Sequence, residues 1–399
     1  MEKVSDRLAV LSVSQTLAMT QKSRELTAQG KDIINLSIGE PDFDTPEHIK
    51  EAGIKAIEDN FSHYSPVPGF ADLREAVSNK FKRENNLDFL PEQIVVSGGA
   101  KQSIANVALS ILNKGDEVIV PAPYWVSYVE IIKMAEATNV IINATIDNDF
   151  KVTPEQIEAA ITPKTRAFLF SSPSNPTGSL YTKEELGAMT KVFEKHPNII
   201  IISDEIYEHI NFDGKHESIA QFDFIKDRVV VINGVSKGYA MTGWRIGFIG
   251  APLWIAKACT KLQGQYTSGA SSIAQKASVE ALSSEKSPVI IAKMLEVFKR
   301  RRNLVLDLLN NIQGFKINKP QGAFYVFPDI SYFFGKSNGN EKINNATDLS
   351  LYLLNDANVA TVTGSAFGSP ECLRLSYAAS DERLIEALTR IKSSVEKLS

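Results

Sequence analysis

Short runs of β-branched and other apolar residues alternate with helical patterns through the middle of the chain. The runs are apolar nearly throughout, which is typical of strands that are covered on both faces. The alternation of such strands with helices predicts an α/β domain built on a mainly parallel sheet. The predicted strands are 93–97, 116–121, 139–145, 166–171, 198–203, 228–233 and 247–251, and the clearest predicted helices are 101–113 and 183–195.

After about residue 270 the pattern changes, and a second, smaller α+β domain is predicted. A long helical pattern covers 288–311, and a last helix begins at Asp381. The polar segment 334–345 is rich in Gly and Asn and is predicted to be an exposed loop. The predicted strands of this part are 323–329, 359–364 and 372–378.

The length of 399 residues fits two domains. The first 40 residues are expected to join the smaller domain or to lie over a partner subunit. The predicted parts are an N-terminal segment that joins the small domain (1–47), a large domain (48–290) and a small C-terminal domain (291–399).

The composition argues against several classes of protein. A formal net charge of −4 does not suggest a nucleic-acid-binding protein, and the basic cluster at 299–303 is expected to be a solvated helix face. Two cysteines, Cys259 and Cys372, are too few for a disulfide framework, and no local motif has the spacing of metal ligands. No signal-peptide pattern and no run of 18 apolar residues is present. We therefore expect a cytoplasmic protein without a metal, a membrane or a nucleic-acid partner.

Unusual residues follow the predicted strands at the point where each strand ends. In open α/β sheets, ligands bind outside the carboxyl ends of the strands. Each segment alone has an ordinary explanation as a turn, a helix cap or packing, but their shared position predicts a ligand site. In chain order the segments are "GGAKQS", "APYW", "SPSNPTG", "SDEIY" and "GVSKGYAMTGWR".

The residues in these segments suit a phosphate, an aldehyde and a pyridine ring. The "GGA" that opens a helix presents backbone N–H groups to an anion, and Arg245 with the hydroxyl of Ser236 can complete a phosphate site. A partly desolvated Lys237 can form a Schiff base with a carbonyl. Asp204 can hold a pyridine nitrogen protonated, and Trp125 can stack on the ring. Together these groups indicate pyridoxal 5′-phosphate.

Motifs in order over nearly the whole chain resemble the aminotransferases of pyridoxal-phosphate fold type I, and most of all the bacterial and archaeal type of aspartate aminotransferase. The resemblance implies the fold of that family, with a large α/β domain and a smaller α+β domain. The motifs are "IGEPDFDTPEHI" (38–49), "YSPVPGFADLREA" (64–76), "PYWVSY" (123–128), "SPSNPTG" (172–178), "SDEIYEH" (203–209), "SKGYAMTGWRIG" (236–247) and "CLRLSYA" (372–378).

The resemblance also implies a role for each matching residue at the cofactor. Lys237 would form the Schiff base and move the proton between the substrate Cα and the cofactor, and Asp204 would pair with the pyridine N–H. Tyr207 and Asn175 would bind the 3′-oxygen of the ring. Lys237, Asp204 and Tyr207 are thus the expected catalytic residues. The other expected contacts are Trp125, which would stack on the ring and face the substrate, and the phosphate ligands Gly99, Ala100, Ser236, Arg245 and, from a neighbouring subunit of a homodimer, Tyr64.

Substrate contacts are implied at two ends of the pocket. Arg374 would grip the α-carboxylate in a bidentate manner, with help from Gly39 and Asn175. The alternative for Arg374 is a surface ion pair. Lys101 and Thr16 match residues that bind the distal carboxylate of the substrate. A cation at a helix N-terminus is unfavourable without an anion, although Lys101 as a solvated first-turn residue is the alternative.

These features predict the transfer of an amino group from L-aspartate to 2-oxoglutarate, giving oxaloacetate and L-glutamate, by a ping-pong mechanism. Closure of the small domain that carries Arg374 would exclude water. An aminotransferase for prephenate, aromatic amino acids, kynurenine or alanine stays open, as does a carbon–sulfur β-lyase on the same fold. A regulator that only senses the cofactor would need an additional DNA-binding segment, and "SGGAKQS" lacks the ending of a P-loop.

Overall fold

A computed structural model describes residues 4–339 and 341–399 of the chain. Its strands agree closely with those predicted for the large domain and are shorter than predicted in the small one. In chain order they are β1 (Ile34–Asn35), β2 (Ile94–Ser97), β3 (Glu117–Ala122), β4 (Thr138–Asn143), β5 (Thr165–Ser171), β6 (Ile200–Asp204), β7 (Val229–Gly234), β8 (Gly247–Gly250), β9 (Tyr325–Val326), β10 (Ser337–Asn338), β11 (Glu341–Lys342), β12 (Val359–Ala360), β13 (Val362–Thr363) and β14 (Leu373–Ser376).

The helices include those predicted at 101–113, 183–195, 288–311 and from Asp381. Two helices, α7 (Pro154–Ala160) and α8 (Lys183–Lys195), are preceded by a threonine whose side chain accepts a hydrogen bond from the third helical N–H, as in a capping box. The α-helices are α1 (Asp6–Ala9), α2 (Gln15–Ala28), α3 (Glu47–Glu58), α4 (Ala71–Lys80), α5 (Ala100–Ile111), α6 (Ser127–Met134), α7 (Pro154–Ala160), α8 (Lys183–Lys195), α9 (Leu253–Tyr266), α10 (Ser272–Ser283), α11 (Lys286–Asn310), α12 (Ala346–Asp356) and α13 (Asp381–Val395).

A seven-stranded sheet lies at the centre of the large domain, with the order β2–β8–β7–β6–β5–β3–β4. Its strands are parallel except for β8, which is antiparallel to both β2 and β7. Neighbouring residues of one strand pack into different hydrophobic clusters: Ile201 and Val231 on one face, Ile202 and Val230 on the other. Burial of each such side chain contributes roughly 1.5–3 kcal/mol, so runs without polar residues are what this sheet needs. The predicted sheet is therefore confirmed.

A separate hydrophobic core holds most of the apolar residues of the small domain together with residues 206–212 of the large one. Ile34 and Leu36 of the N-terminal segment pack into this core, and β1 pairs in parallel with β12. The helix α11 runs without a break across the predicted boundary at 290/291. The division into 1–47, 48–290 and 291–399 stays a prediction.

The structure corrects two expectations for the C-terminal part. The segment 334–345 holds the short hairpin β10–β11, with Asn340 outside the described residues. The basic cluster at 299–303 is not simply a solvated helix face. Arg301 and Arg302 are buried, because Arg301 binds both oxygens of Asp42 at 2.7 and 2.9 Å and Arg302 binds the carbonyl of Pro320 at 3.0 Å.

The two cysteines and the helices bear on the environment of the protein. Cys259 and Cys372 are both buried and free. Burial raises the pKa of both thiols, that of Cys259 to about 12. Within the described part of the chain, every helix is too short or too polar to cross a lipid bilayer.

Candidate active site

A cavity of about 440 Å³ opens where β5, β6 and β7 end. Because these strands are parallel neighbours, the residues that follow them converge on one edge of the sheet. The cavity is lined by nearly all of the residues predicted for the site. They are Thr16, Gly39, Ala100, Lys101, Trp125, Asn175, Asp204, Tyr207, Ser236, Lys237, Arg245 and Arg374.

Lys237 lies in the loop after β7, and its ammonium reaches across the cavity to the N-terminal segment. Its Nζ donates a 2.5 Å hydrogen bond to the carbonyl oxygen of Gly39. Burial lowers the pKa of Lys237 to about 8, and Arg374 and Arg245 act in the same direction, while Glu40 opposes them. About a tenth of the amine is therefore neutral and nucleophilic at pH 7, far more than for a lysine of ordinary pKa.

Asp204 is the last residue of β6 and is buried. Tyr128 donates a 2.6 Å hydrogen bond to its Oδ2, and the backbone N–H of Ile206 donates one of 3.3 Å to Oδ1. Burial raises the pKa of Asp204 to about 6, while the hydrogen bond from Tyr128 works against this rise. A cationic ligand beside the carboxyl group would favour its charged form.

The Tyr207 hydroxyl lies 2.7 Å from that of Tyr325. The ring of Tyr207 also lies close to the lysine, with its centre 5.8 Å from Lys237 Nζ. Burial raises the pKa of Tyr207 well above its usual value. Tyr207 is therefore a neutral hydroxyl that can donate one hydrogen bond into the cavity.

The start of α5 and the loop after β7 form a cradle for an anion. Gly99 precedes α5 with a φ of 100°, and a Cβ at this position would collide with the guanidinium of Arg245. Arg245 donates to the carbonyl of Thr242 at 2.9 Å and to that of Gly98 at 3.2 Å. The Ser236 hydroxyl faces the same space. Backbone N–H groups, a hydroxyl and a guanidinium are the usual ligands of a phosphate.

Arg374 lies at the other side of the cavity and is 2% exposed, so a surface ion pair is the wrong interpretation. It donates to Asn175 Oδ1 at 3.0 Å and to the carbonyl of Ser37 at 2.6 Å. Its Nε has no hydrogen-bond partner among the described residues. Burial lowers the pKa of Arg374. A buried guanidinium without a carboxylate partner is costly, which favours a site that binds an anionic ligand.

Lys101 and Thr16 line the same cavity. The Nζ of Lys101 is 5.0 Å from the ring centre of Trp125. Burial of this ammonium lowers the pKa of Lys101, and the charge of Arg245 adds to the effect, although much of the side chain is exposed. Thr16 lies in the first turn of α2, and its Oγ1 is buried without a hydrogen-bond partner in the described chain. Both groups are available to a ligand in the cavity.

Two predicted residues do not line the cavity. Gly99 lies directly behind Ala100 at the start of α5. Tyr64, between α3 and α4, is 98% exposed and lines a separate surface cleft with His63 and Gly269. Its contact with a neighbouring subunit stays a prediction.

Some residues of the site were missed in the sequence. Tyr128 and Tyr325 bind predicted residues through their hydroxyls, and Glu40 accepts a 3.0 Å hydrogen bond from Thr242. Tyr128 ends the motif "PYWVSY" in the first turn of α6, three positions after Trp125, so the motif that carries Trp125 could have pointed to it. Tyr325 lies in an apolar run, where an aromatic residue indicates only core packing.

Known proteins resemble this chain over its full length. The family model described as aminotransferase class I and II matches residues 31–391. An aspartate/prephenate aminotransferase from Cereibacter sphaeroides is 46% identical over 99% of both chains. One from Nitrosomonas europaea is 47% identical over 98% of this chain and 99% of its own.

Solved structures share both the fold and the family. The aspartate aminotransferase from Rhizobium meliloti superposes with a TM-score of 0.96 at 42% identity, with all of both chains covered. That from Thermus thermophilus, solved with maleate, has a TM-score of 0.93 at 39% identity and covers 99% of this chain and 100% of its own.

Proposed function

The chain belongs to the class I and II aminotransferase family, and from this we propose that it transfers the amino group of L-aspartate to 2-oxoglutarate. The observation that carries the choice of substrate is a cavity lined by both Arg374 and Lys101. Arg374 is buried there without a carboxylate partner among the described residues, and Lys101 is exposed. A substrate with two carboxylates, one for each cation, fits this arrangement.

We propose pyridoxal phosphate as the cofactor, because the described residues fit it. At Gly99 any side chain would fill the cradle beside Arg245, which supports the close approach of an anionic group to the backbone. The buried carboxyl of Asp204 fits the pyridine nitrogen of the cofactor, and Lys237, with its lowered pKa, fits the aldehyde. When bound, the cofactor supplies an aldehyde that bonds an amine and a protonated ring that withdraws electrons from the substrate Cα.

The proposed cofactor contacts use residues from five parts of the chain. The backbone of Gly99 and Ala100, Ser236 and Arg245 would hold the phosphate. Asp204 would accept a hydrogen bond from the ring nitrogen, and Tyr128 and the Ile206 N–H keep the carboxylate oriented. The remaining ring contacts would come from Trp125, which would stack, and from Asn175 and Tyr207, which would bind the 3′-oxygen.

Lys237 is the proposed base. Its pKa of about 8 leaves enough neutral amine near pH 7 to accept a proton from the substrate Cα and to return it to the cofactor. The Gly39 carbonyl accepts a 2.5 Å hydrogen bond from Nζ and so orients the side chain of the free lysine. Gly39 and Asn175 would also help Arg374 to orient the α-carboxylate, which directs the Cα proton toward the lysine.

One cavity can serve both halves of a ping-pong reaction. Aspartate and 2-oxoglutarate each carry two carboxylates, so Arg374 could bind one carboxylate of either acid and Lys101 with Thr16 the other. Closure of the small domain would exclude water while the proton moves.

Prephenate is a second proposed substrate. Relatives of this chain are named aspartate/prephenate aminotransferases. Prephenate also carries two carboxylates, so Arg374 and Lys101 suit it as they suit 2-oxoglutarate.

We further propose a cytoplasmic homodimer with the cavity near the subunit interface. The support is Tyr64, whose ring is 98% exposed in the single chain although it lies in a motif of the resemblance. An exposed tyrosine of this kind suits a contact with a second copy.

The decisive experiment follows the colour of the purified protein. After incubation with pyridoxal phosphate and gel filtration, a visible absorption band is expected, and L-aspartate should change it. Lys237→Ala should lose the conversion of aspartate and 2-oxoglutarate to oxaloacetate and glutamate. A wild-type protein that binds no cofactor, or that reacts with alanine faster than with aspartate, would contradict the proposal.

A further inference from the structure

Tyr325 contacts two other residues of the cavity, Arg374 and Tyr207. It lies in β9, in register with Ser376 of β14, and β14 also carries Arg374. Its side chain is fully buried and lines the cavity. A single side chain therefore contacts Arg374, proposed to bind the substrate, and Tyr207, proposed to bind the cofactor.

The hydroxyl of Tyr325 lies between Tyr207 and the backbone of Gly39. It lies 2.7 Å from the hydroxyl of Tyr207, and a Cβ at Gly39 would lie 2.6 Å from it. A phenol has one proton to donate and lone pairs that accept. If Tyr207 gives its proton to the cofactor oxygen, it can only accept in the second bond. Tyr325 is then the donor.

The ring of Tyr325 has a separate contact. Its centre lies 4.5 Å from the Cζ of Arg374, and the ring of Phe367 lies 4.9 Å from the same atom. Two aromatic rings close to one guanidinium attract the cation and restrict its orientation. A bidentate bond to a carboxylate depends on that orientation.

We propose that Tyr325 is a positioning residue for two residues of the site, with its hydroxyl donating to Tyr207 and its ring orienting Arg374. The inference rests on the proposed function, because Tyr207 has its cofactor acceptor only in the loaded protein. Donation from Tyr325 makes Tyr207 a stronger donor, since hydrogen bonds in a chain polarise one another. The bond from Tyr207 favours the deprotonated form of the bound cofactor, whose oxygen carries more negative charge.

The role of the hydroxyl is tested by titrating the visible absorption of the loaded protein against pH. Tyr325→Phe is expected to raise the midpoint by about 0.3 pH unit, since the weaker donor stabilises the deprotonated form less. Tyr207→Phe should raise it further. The double variant should match Tyr207→Phe, because Tyr325 then has no oxygen of Tyr207 to bind.

A second variant keeps the shape of the side chain. 3-Fluorotyrosine at position 325 is a stronger donor and should lower the midpoint. The matched control is Tyr377→Phe, which removes another buried hydroxyl, bound to the carbonyl of Ala323, outside the cavity. If Tyr325→Phe leaves the midpoint unchanged, this half of the proposal is wrong. It is also wrong if Tyr325→Phe and 3-fluorotyrosine move the midpoint in the same direction. A protein without a visible band contradicts the proposed function instead.

The role of the ring is tested with maleate, a dicarboxylate without an amino group. Tyr325→Leu, which lacks the ring, should raise the dissociation constant of maleate about fivefold. Tyr325→Phe should leave that constant nearly unchanged, while it still moves the midpoint of the titration. If both variants weaken maleate binding equally, or neither does, the ring does not orient Arg374.

Discussion

Lys237 and Gly39 are 198 positions apart in the chain, and the Nζ of the lysine donates a 2.5 Å hydrogen bond to the glycine carbonyl. The bond links the loop after β7 to the N-terminal segment, which packs with the small domain. The proposed base therefore contacts the part of the chain that also binds Arg374 through the carbonyl of Ser37. The predictions below test this site and the contacts around it.

The lowered pKa of Lys237 predicts how the cofactor-free protein reacts with pyridoxal phosphate. Because the neutral amine is the reactive form, the rate of covalent binding should rise with pH and level off above about 8. Stopped-flow absorbance over pH 6 to 10 measures this. Lys237→Arg, which stays charged, should show no such phase. A rate that still rises steeply above pH 9 would mean that the lysine is not desolvated.

The raised pKa of Asp204 predicts that the cofactor-free protein loses stability as the pH rises. Its pKa is raised from 3.8 to about 6, so the native state holds the proton more tightly than the unfolded chain. The contribution of Asp204 to the free energy of unfolding is therefore greatest below pH 4 and is lost as the pH rises through 6. When the pH is raised from 4.5 to 7.5, the free energy of unfolding of Asp204→Asn should increase by about 2 kcal/mol relative to that of the wild type.

Urea unfolding of the cofactor-free proteins at both pH values measures the difference. Asp88→Asn is the matched control, since its side chain is 82% exposed. A difference between Asp204→Asn and wild type that is the same at both pH values would show that the carboxyl does not titrate in this range. In the loaded protein Asp204→Asn should lower kcat, because the ring nitrogen loses its charged partner.

Arg374→Lys keeps the positive charge and removes the planar fork of donors. The KM for aspartate should rise about 30-fold, since two charge-assisted hydrogen bonds become one at most. Steady-state kinetics measure it. Arg300→Lys, at an exposed arginine outside the cavity, should leave KM unchanged. A KM unaltered by Arg374→Lys would place the α-carboxylate elsewhere.

Lys101→Ala should discriminate between substrates. The KM for aspartate is expected to rise about tenfold through the loss of a cation at the distal carboxylate, while that for alanine should stay nearly constant. Lys114→Ala, at an exposed lysine just after α5, is the control. Equal effects on both amino acids would favour the solvated-residue interpretation of Lys101.

Neighbouring arginines in α11 should differ in their effect on stability. Arg301 is 8% exposed and bound to Asp42, so Arg301→Ala should lower the free energy of unfolding by about 2 kcal/mol through an uncompensated carboxylate and lost packing. Arg300→Ala, at a side chain that is 61% exposed, should have no measurable effect. Thermal and urea unfolding compare them, and equal losses would mean that burial is not the cause.

The fold class and the family were predictable from the sequence, and the comparisons confirm both. The large sheet could be predicted because strands buried on both faces contain almost no polar residues, so β6 and β7 are visible as uninterrupted apolar runs. In the small domain β9 is shorter than predicted. Ala323 has a φ of 56°, outside the extended region, and Pro328 has no N–H for a ladder.

The contacts that the sequence could not predict join distant positions. Asp42 and Arg301 are 259 positions apart, so a cluster of arginines gives no sign of which one will be buried. Tyr325 has the same difficulty, because neither its hydroxyl bond to Tyr207 nor its contact with Arg374 follows from the spacing of residues in an apolar run. Such partners are set by tertiary packing.

The burial of Cys259 and Cys372 has a practical consequence for work in solution. Both sulfurs lie inside the protein, and burial raises the pKa of each thiol, so neither offers a thiolate at its surface. A maleimide dye would therefore react selectively with one cysteine introduced at an exposed position such as Lys114. Fluorescent reporters of domain motion can thus be attached one at a time without first removing the natural cysteines.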